Sequence, residues 1–274
     1  MKKIAVVGMG LIGGSICGAL SKAGYIVDGF SLGDEELDFA IKKGYIQAKG
    51  KDLIDYDVVF LAVPAHATLH YLDNGNFKEN ALVMDICGVK SAMETVVYQK
   101  QRNYRYVGLH PMAGKETSGI TSASPDLFKK ANLIIAKSKY TNEKDLLEAK
   151  EYANAMGFGR IVECSAQEHD AKIALTSQLA HLVSNAYVKS KQVEDCEGFT
   201  GGSFQDMTRI AGVDEKMWTE LYMCNRPYIL QELDCLIENL SVYKQAIEMQ
   251  DEQALSDALK AGRLIRENIK RDNK

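Results

Sequence analysis

A glycine-rich turn near the N-terminus restricts the fold of this chain more than any other feature. Gly8-Met9-Gly10-Leu11-Ile12-Gly13 follows the apolar run Ile4–Val7 and opens the helix-like stretch Ile12–Ala23. With this spacing, the first glycine allows a tight turn, the second lets a pyrophosphate approach the backbone, and the third lets helix and strand pack closely. Free N–H groups at the start of a helix also attract phosphate. The turn therefore predicts a dinucleotide-binding site formed by Gly8, Gly10, Leu11, Ile12 and Gly13.

The first half of the chain alternates β-rich runs with helical patterns, which is typical of a mostly parallel sheet with helices on both faces. We predict strands at Ile4–Val7, Ile26–Phe30, Val58–Ala62, Leu82–Ile86, Tyr106–Leu109, Leu133–Ala136 and Arg160–Glu163. Beyond about residue 165 no convincing strand follows, and apolar residues recur at helical spacing. The sequence thus predicts an α/β protein. A doubly wound (Rossmann) dinucleotide-binding domain would span residues 1–165, and an all-helical substrate and dimerisation domain would span residues 166–274.

The end of the second predicted strand bears on which dinucleotide binds. An acidic residue there usually accepts a hydrogen bond from the ribose 2′-OH of NAD, but the position falls on Ser31. No arginine or lysine follows before Lys42 to bind the 2′-phosphate of NADP. We expect NAD, with NADP left open. Val63-Pro64 follows another strand, at the sheet edge that borders the cofactor crevice, and is a further candidate for the cofactor site.

Composition narrows the classes of partner and compartment. The chain has 33 basic and 37 acidic residues, a formal net charge of -4, which argues against nucleic acid or an anionic membrane as a partner. No apolar stretch approaches the ~18–20 residues of a membrane span. The six cysteines show no metal-ligand spacing. We therefore expect a cytoplasmic protein without a metal, and a homodimer formed through the apolar stripes of the helical domain.

Two further segments carry residues suited to chemistry. Leu109-His110-Pro111-Met112-Ala113-Gly114 follows a predicted strand, so His110 should lie at the rim where the cofactor is expected. Oxidation of an alcohol needs a proton acceptor, and histidine titrates in a suitable range. By itself the segment fits a histidine held in a turn equally well. Ser177 and His181 share one helix face with Asp170 nearby, and such a polar group predicts a pocket lining.

Five sequence blocks occur together in an order and spacing that are specific. They are GMGLIGG at 8–14, DICGVK at 85–90, LHPMAG at 109–114, His169-Asp170 followed by SQLAH at 177–181, and FQDMTRIA at 204–211. In these blocks the chain resembles the prephenate/arogenate dehydrogenase family over nearly its whole length. The resemblance implies oxidative decarboxylation of prephenate to 4-hydroxyphenylpyruvate with hydride transfer to NAD(P)+, in tyrosine biosynthesis. Arogenate, which would give tyrosine directly, is the alternative substrate.

The resemblance also assigns roles to residues. His110 would be catalytic and accept the hydroxyl proton, and Arg209 would bind a substrate carboxylate with its planar guanidinium. From sequence alone, a salt bridge between Arg209 and Asp206 is the favoured interpretation. Trp218 matches a position near the entrance of the family's active site. The remaining substrate-binding residues would be Ser177, Gln178, His181, His169 and Glu116.

Some positions depart from the family pattern and keep other functions open. Gly88 stands where many members carry serine, Gln178 where many carry histidine, and Gln205 where many carry arginine or lysine. A β-hydroxyacid or imine reductase also joins a dinucleotide domain to a helical domain, but usually relies on a lysine of the helical domain. A non-catalytic NAD-binding regulator is the alternative of another class, although His110 and Arg209 are both present.

Overall fold

The structure, a computed structural model, describes residues 2–269. Its strands are β1 (Ile4–Val7), β2 (Val27–Phe30), β3 (Ala48–Lys49), β4 (Val58–Leu61), β5 (Leu82–Asp85), β6 (Arg105–Met112), β7 (Asn132–Ala136) and β8 (Arg160–Cys164). They form one sheet in the order β3-β2-β1-β4-β5-β6-β7-β8, in which β6 and β7 are antiparallel and the other neighbours are parallel. The predicted α/β fold is confirmed.

Two strands differ from the prediction. β3 has only two residues, too few to show a pattern in the sequence. β6 was predicted to end at Leu109, which is wrong, because the strand continues to Met112. Its second half pairs with β7, where His110 lies opposite Ile134 and Met112 opposite Asn132. His110 therefore lies inside a strand and not after one.

Apolar side chains cover both faces of the sheet, because successive strand residues point to opposite faces. In β1, Ile4 and Val6 belong to one hydrophobic cluster, whereas Ala5 and Val7 belong to another. Each of these four side chains is at most 4% exposed. Burial on both faces explains why the strands read as near-continuous apolar runs.

The α-helices lie between and after these strands. They are α1 (Leu11–Lys22), α2 (Asp34–Lys42), α3 (Ala65–Asn74), α4 (Ser91–Tyr98), α5 (Glu143–Ala155), α6 (Ala166–Ile173), α7 (Ala180–Tyr187), α8 (Gly202–Thr208), α9 (Glu215–Cys224), α10 (Arg226–Glu248) and α11 (Glu252–Asn268). A π-helical turn, Ala174–Leu179, joins α6 to α7. Within residues 2–269, no helix is both long and apolar enough to cross a lipid bilayer.

Contacts within the chain divide it into two compact units. The first runs to Ile173 and also includes Gly212–Asn225, and the second consists of Ala174–Ala211 and the chain from Arg226 onward. The first unit therefore contains the whole sheet and also includes α6 and α9. The predicted boundary between residues 165 and 166 stays a prediction, and it differs from this division because α6 makes its contacts with α4 and β7.

The second unit is all-helical in the described part of the chain. α10 contacts both α11 and the π-helical turn, and α7 contacts α8. Pro227, which suggested a kink or a helix start, is the second residue of α10. Proline is tolerated there because the first N–H groups of a helix have no intrahelical acceptor.

Candidate active site

The glycine-rich turn joins β1 to α1 and gives each glycine a different environment. Gly8 has a φ of +99°, and a Cβ there would lie 2.2 Å from the carbonyl oxygen of Ala62. A Cβ on Gly13 would lie 1.8 Å from the carbonyl oxygen of Gly8. A Cβ on Gly10 would meet no atom within 4 Å. The fold thus requires the first and third glycines, whereas the second leaves open space beside the start of α1.

This space suits the pyrophosphate of a dinucleotide. Leu11 and Ile12 open α1, where N–H groups lack intrahelical acceptors, and the first turn carries no acidic residue that would repel an anion. Val63-Pro64, which connects β4 to α3, lies alongside, because a Cβ on Gly8 would be 2.9 Å from Cγ1 of Val63. These residues fit the predicted cofactor site, and their individual contacts with a cofactor stay predictions.

Gly10 and Gly13 give a matched test of this site. We expect Gly10→Val to fold normally and to bind NAD about 5- to 150-fold more weakly, since an obstructing side chain costs roughly 1–3 kcal/mol. Gly13→Ala should instead lower the melting temperature, because its Cβ collides with the backbone. Calorimetric NAD titration and thermal unfolding measure the two effects. Unchanged NAD affinity in Gly10→Val would place the pyrophosphate elsewhere.

An acidic side chain reaches the end of β2 after all, although the sequence reading missed it. Oε2 of Glu36, in the first turn of α2, lies 3.5 Å from Oγ of Ser31. The other acidic groups nearby are engaged: Asp34 pairs with Lys49, and Asp28 accepts a hydrogen bond from Tyr56 at 2.9 Å. The sequence signal for this contact is a carboxylate in the first turn of the helix that follows β2. The short connection between β2 and α2 places Glu36 beside Ser31.

Glu36 should therefore favour NAD over NADP, because its carboxylate would accept from the ribose 2′-OH and repel a 2′-phosphate. Removing the charge with Glu36→Gln should lower the ratio of kcat/KM for NAD to that for NADP about tenfold, the worth of one hydrogen bond to a charged group. Glu35→Gln, at the exposed neighbouring position, is the control. Equal ratios in Glu36→Gln and the wild-type protein would remove Glu36 from cofactor selection.

His110 lies at the carboxyl edge of the parallel part of the sheet, although it is inside β6. The last pair between β5 and β6 joins Asp85 to Gly108, two residues before His110. Beyond that pair, β6 has β7 on one side and the turn that follows β5 on the other. The carboxyl edge of a doubly wound sheet is where ligands bind, so the predicted position of His110 at the rim holds despite the longer strand.

A chain of hydrogen-bonded side chains ends at His110. Nδ1 of His110 lies 2.8 Å from Nε2 of His169, and Nδ1 of His169 lies 2.7 Å from Oδ1 of Asp170. His169 and Asp170 are at most 1% exposed. The Asp170 carboxylate also accepts the N–H groups of Lys90 and Ser91, each at 2.8 Å. These bonds tie the carboxylate to the start of α4 and fix the direction from which it holds His169.

This arrangement determines which nitrogen of His110 is the base. An ionised carboxylate only accepts hydrogen bonds, so the neutral His169 ring carries its proton on Nδ1. Its Nε2 is then an acceptor, and His110 must donate to it from Nδ1. The lone pair of a neutral His110 is consequently on Nε2. The three residues hold one tautomer, in which Nε2 is ready to take a proton.

Burial and nearby charges keep both rings neutral. Burial holds the pKa of His110 well below its usual value, and the neighbouring His169 ring and the Lys90 ammonium lower it further. Burial also lowers the pKa of His169, although the hydrogen bond to Asp170 opposes this. For Asp170, burial works against ionisation, but hydrogen bonds from His169 and Ser91 outweigh it and lower the carboxyl pKa. His110 is thus a free base at neutral pH.

The placement of His169 corrects one prediction. We expected His169 to contact the substrate, but it is 1% exposed and lies behind His110. Both of its ring nitrogens are used by protein partners, so no polar atom of the ring is left for a substrate. Its position indicates that it holds and orients the base. The sequence could not reveal this, because His169 and His110 are 59 residues apart.

The second unit holds the other predicted substrate residues. Nδ1 of His181 lies 2.9 Å from the carbonyl oxygen of Ser177, so the two residues share a face as predicted. Gln178 is buried in the π-helical turn. The expected grouping of Asp170 with this face is wrong, because the Asp170 carboxylate binds the start of α4 and the π-helical turn breaks the α-helical spacing.

The last three predicted residues lie directly after α8, in a loop, and in the first turn of α9. Arg209 directly follows α8 and is exposed, and its N–H donates to the carbonyl of Gln205 at 3.0 Å. Glu116 lies in an exposed segment after β6. Trp218, on α9, packs against Tyr222 with ring centroids 5.5 Å apart. Their roles toward a substrate stay predictions. Among the described side chains, no group of three or more His, Cys, Asp or Glu is placed to hold a metal ion.

Comparison with known proteins decides the family. Models described as "Prephenate dehydrogenase, nucleotide-binding domain" and "Prephenate dehydrogenase, dimerization domain" match residues 16–163 and 165–261. The chain belongs to the prephenate dehydrogenase family. A prephenate dehydrogenase of Bacillus subtilis is 28% identical over 97% of this chain and 76% of its own length.

Solved structures agree with this family in fold. A prephenate dehydrogenase from A. aeolicus in complex with hydroxyphenyl propionate and NAD+ is 26% identical, with a TM-score of 0.84, and the match covers 98% of this chain and 99% of that one. An arogenate dehydrogenase of Synechocystis is 25% identical, with a TM-score of 0.80, over 97% of this chain and 99% of that one. The predicted family is confirmed.

Gly88 marks where this member of the prephenate dehydrogenase family departs from the common pattern. A Cβ there would lie 3.8 Å from Nε2 of His110 and 3.5 Å from Cδ2 of Leu221, which are ordinary contact distances. A serine would fit, with its hydroxyl beside the base. In this chain the glycine supplies no hydroxyl beside Nε2.

Proposed function

We propose that this chain oxidises and decarboxylates prephenate to 4-hydroxyphenylpyruvate, with hydride transfer to NAD+, as a step in tyrosine biosynthesis. The observation that carries the proposal is the chain from Asp170 through His169 to His110, which leaves Nε2 of His110 as a proton acceptor. Membership of the family and the likeness to the B. subtilis and A. aeolicus enzymes support it.

The proposed step places two acceptors at one ring carbon. Bound NAD supplies the hydride acceptor. Nε2 of His110 takes the proton of the ring hydroxyl, and the hydrogen bond from its Nδ1 to His169 stabilises the resulting positive charge, with the Asp170 carboxylate behind it. Loss of the ring carboxylate as CO₂ leaves an aromatic phenolate, which takes a proton back. The reaction therefore releases no net proton, and aromatisation makes it effectively irreversible.

Substrate anions need cationic partners, and Arg209 is the residue that we propose for a carboxylate. Its guanidinium matches two carboxylate oxygens at once. Ser177, Gln178 and His181 are the polar residues that we propose for the rest of the substrate, together with Glu116. Arogenate carries an ammonium where prephenate carries a keto oxygen and has the same ring, so His110 would act on it in the same way. The similarity to the Synechocystis arogenate dehydrogenase keeps it as the second candidate.

A four-way assay tests the proposal. Purified protein is offered prephenate or arogenate with NAD or NADP, and absorbance at 340 nm is followed. We expect the highest kcat/KM with prephenate and NAD. Higher kcat/KM with arogenate would move the chain to the second candidate. Absence of turnover in all four mixtures, together with normal NAD binding, would favour a non-catalytic regulator and overturn the proposal.

We further propose that the protein is a homodimer formed through its second unit. α10 and α11 carry apolar side chains that are each more than half exposed: Ile237, Leu240, Ile247, Leu259 and Ile265. Exposed apolar patches of this kind mark interfaces, and the matching family model is described as a dimerization domain. Sedimentation should give twice the mass of one chain at micromolar concentration, and a monomer there would contradict the proposal.

We also propose a cytoplasmic location. All six cysteines are free thiols, three of them buried. Free thiols are typical of a reducing compartment, whereas secreted proteins usually pair theirs. Localisation of the tagged protein by cell fractionation tests this, and recovery outside the cytoplasm would contradict it.

A further inference from the structure

A buried ion pair lies close to His110 and takes no direct part in the proton and hydride transfer proposed above. Nζ of Lys90 pairs with Oδ1 of Asp85, and the two side chains are at most 1% exposed. Oδ2 of Asp85 accepts the hydroxyl of Tyr106 at 2.6 Å, and Oδ1 accepts the N–H of Cys87 at 2.9 Å. Burying a lysine costs desolvation energy even when it is paired with a carboxylate, and this pair lies beside the proposed base.

Gly108 shows how close this cluster comes to the base. Tyr106, Gly108 and His110 are every second residue of β6, so they point to the same face of the sheet. A Cβ on Gly108 would lie 3.0 Å from Cδ of Lys90 and 3.0 Å from the hydroxyl of Tyr106. The lysine stem therefore crosses the strand over Gly108, one side-chain position from His110. Two residues along a strand span about 7 Å, which sets the scale of the distance from the ammonium to the imidazole.

The charged groups that face this region come from four elements. Asp85 belongs to β5, Lys90 precedes α4, Glu94 lies on α4, and Asp170 and His169 belong to α6. Burial raises the carboxyl pKa of Glu94, against hydrogen bonds from Ser138 and Gln167.

The other titratable groups of the region are neutral at physiological pH. Burial holds the hydroxyl pKa of Tyr106 well above its ordinary value, and the Asp85 carboxylate adds to this. Burial also raises the thiol pKa of Cys87 to about 12 and raises that of Cys224, on α9. The ammonium beside the two histidines is that of Lys90, which pairs with Asp85.

We propose that the buried ammonium of Lys90 keeps the His110–His169 pair uncharged, so that His110 remains a proton acceptor in mildly acidic solution. Lys90 acts as a positioning residue in this role, because it works through His110 and contacts no substrate. The inference rests on the proposed function, in which His110 is the base. The Lys90 charge lowers the pKa of both rings, whereas the Asp85 charge opposes it at the His169 ring. The pair therefore acts on His110 mainly as a cation.

The competing explanation is that Lys90 only neutralises Asp85. A single and a double variant distinguish the two explanations. Lys90→Met removes the cation but leaves Asp85 as an uncompensated buried charge, which threatens folding. The double variant Lys90→Met/Asp85→Asn removes both charges and keeps the volume and the bond to Tyr106. If Lys90 controls the histidines, both variants should titrate at higher pH than the wild-type protein, and the single variant should shift further. If Lys90 is only structural, the double variant should titrate as the wild-type protein does.

The measurement is NMR titration of ¹³C-labelled histidine in the substrate-free protein. The chain has five histidines, so single replacements assign every resonance. In the wild-type protein, His110 and His169 should titrate below the ordinary histidine pKa of about 6.5. In the double variant, the His110 transition should move up by about half a pH unit or more. Lys150→Met, which removes a cation paired with Glu163 on the same unit, should leave both rings unchanged.

Enzyme kinetics give the second readout. The acidic limb of log kcat/KM against pH should move up by the same amount in the double variant, while kcat at pH 8 changes much less. An unchanged His110 titration in the folded double variant would overturn the proposal. If no Lys90 variant folds, a wild-type His110 that titrates at or above pH 6.5 overturns it equally. The NMR titration needs no turnover, so failure of the proposed reaction and failure of this inference are distinguishable.

Discussion

Replacing His110 with asparagine should reduce kcat with prephenate and NAD by about 10³- to 10⁴-fold. General base catalysis contributes roughly 10²–10⁴-fold, and the reaction as proposed has no second acceptor for the hydroxyl proton. Asparagine is close to histidine in size and retains a polar atom that can face His169, so the fold should survive. NAD affinity should change less than about threefold, because the glycine-rich turn that would bind the pyrophosphate lies between β1 and α1, whereas His110 lies in β6.

The matched control for this variant is His70→Asn, which makes the same replacement at an exposed position on α3. Its rate should equal that of the wild-type protein. Stopped-flow measurement of the hydride-transfer step and calorimetric NAD titration together separate chemistry from binding. A His110→Asn enzyme with more than a tenth of the normal rate would remove His110 from the role of base. Loss of NAD binding in that variant would instead point to a structural defect.

Removing the proposed carboxylate clamp should have the next largest effect. We expect Arg209→Ala to raise the KM for prephenate by about 10- to 150-fold, because a hydrogen-bonded contact between charged groups contributes roughly 1.5–3 kcal/mol. The kcat should fall much less, since Arg209 takes no part in proton or hydride transfer. Arg209→Lys should lie between the two enzymes, because a lysine keeps the charge but loses the planar fork.

A second arginine of the same unit serves as the control for this prediction. Arg263, on α11, forms an exposed pair with Glu267, and Arg263→Ala should leave the KM for prephenate unchanged. Initial rates over a wide range of prephenate at saturating NAD give kcat and KM separately. If Arg209→Ala has a normal KM, the arginine returns to a structural role, and another cation must bind the carboxylate.

The sequence predicted those parts of the molecule that depend on local pattern. Six of the seven predicted strands both begin and end within two residues of an observed one, because strands buried on both faces must be apolar throughout. The spacing of Gly8, Gly10 and Gly13 predicted the turn correctly, since a side chain on the first or the third glycine would collide with the backbone. The five sequence blocks shared with the family predicted roles for His110 and Arg209 from the sequence alone.

Features that depend on pairing across the chain could not be predicted. β6 continues past Leu109 because it pairs with the antiparallel strand β7, and no local sequence pattern indicates that pairing. His169 was placed among substrate residues because its distance from His110 in sequence hides their contact. The π-helical turn at Ala174–Leu179 breaks the α-helical spacing on which the grouping of Asp170 with Ser177 and His181 relied.

Asp170 also links the folding of α4 to the state of the base. The carboxylate that holds His169 is the acceptor for the main-chain N–H groups of Lys90 and Ser91, 80 and 79 residues earlier in the chain. These amides exchange with solvent deuterium when their hydrogen bonds to the carboxylate open, and an opening that displaces the carboxylate also releases His169 and the tautomer of His110. The exchange rates of two backbone amides therefore set an upper limit on how often the enzyme loses this geometry, without any substrate present.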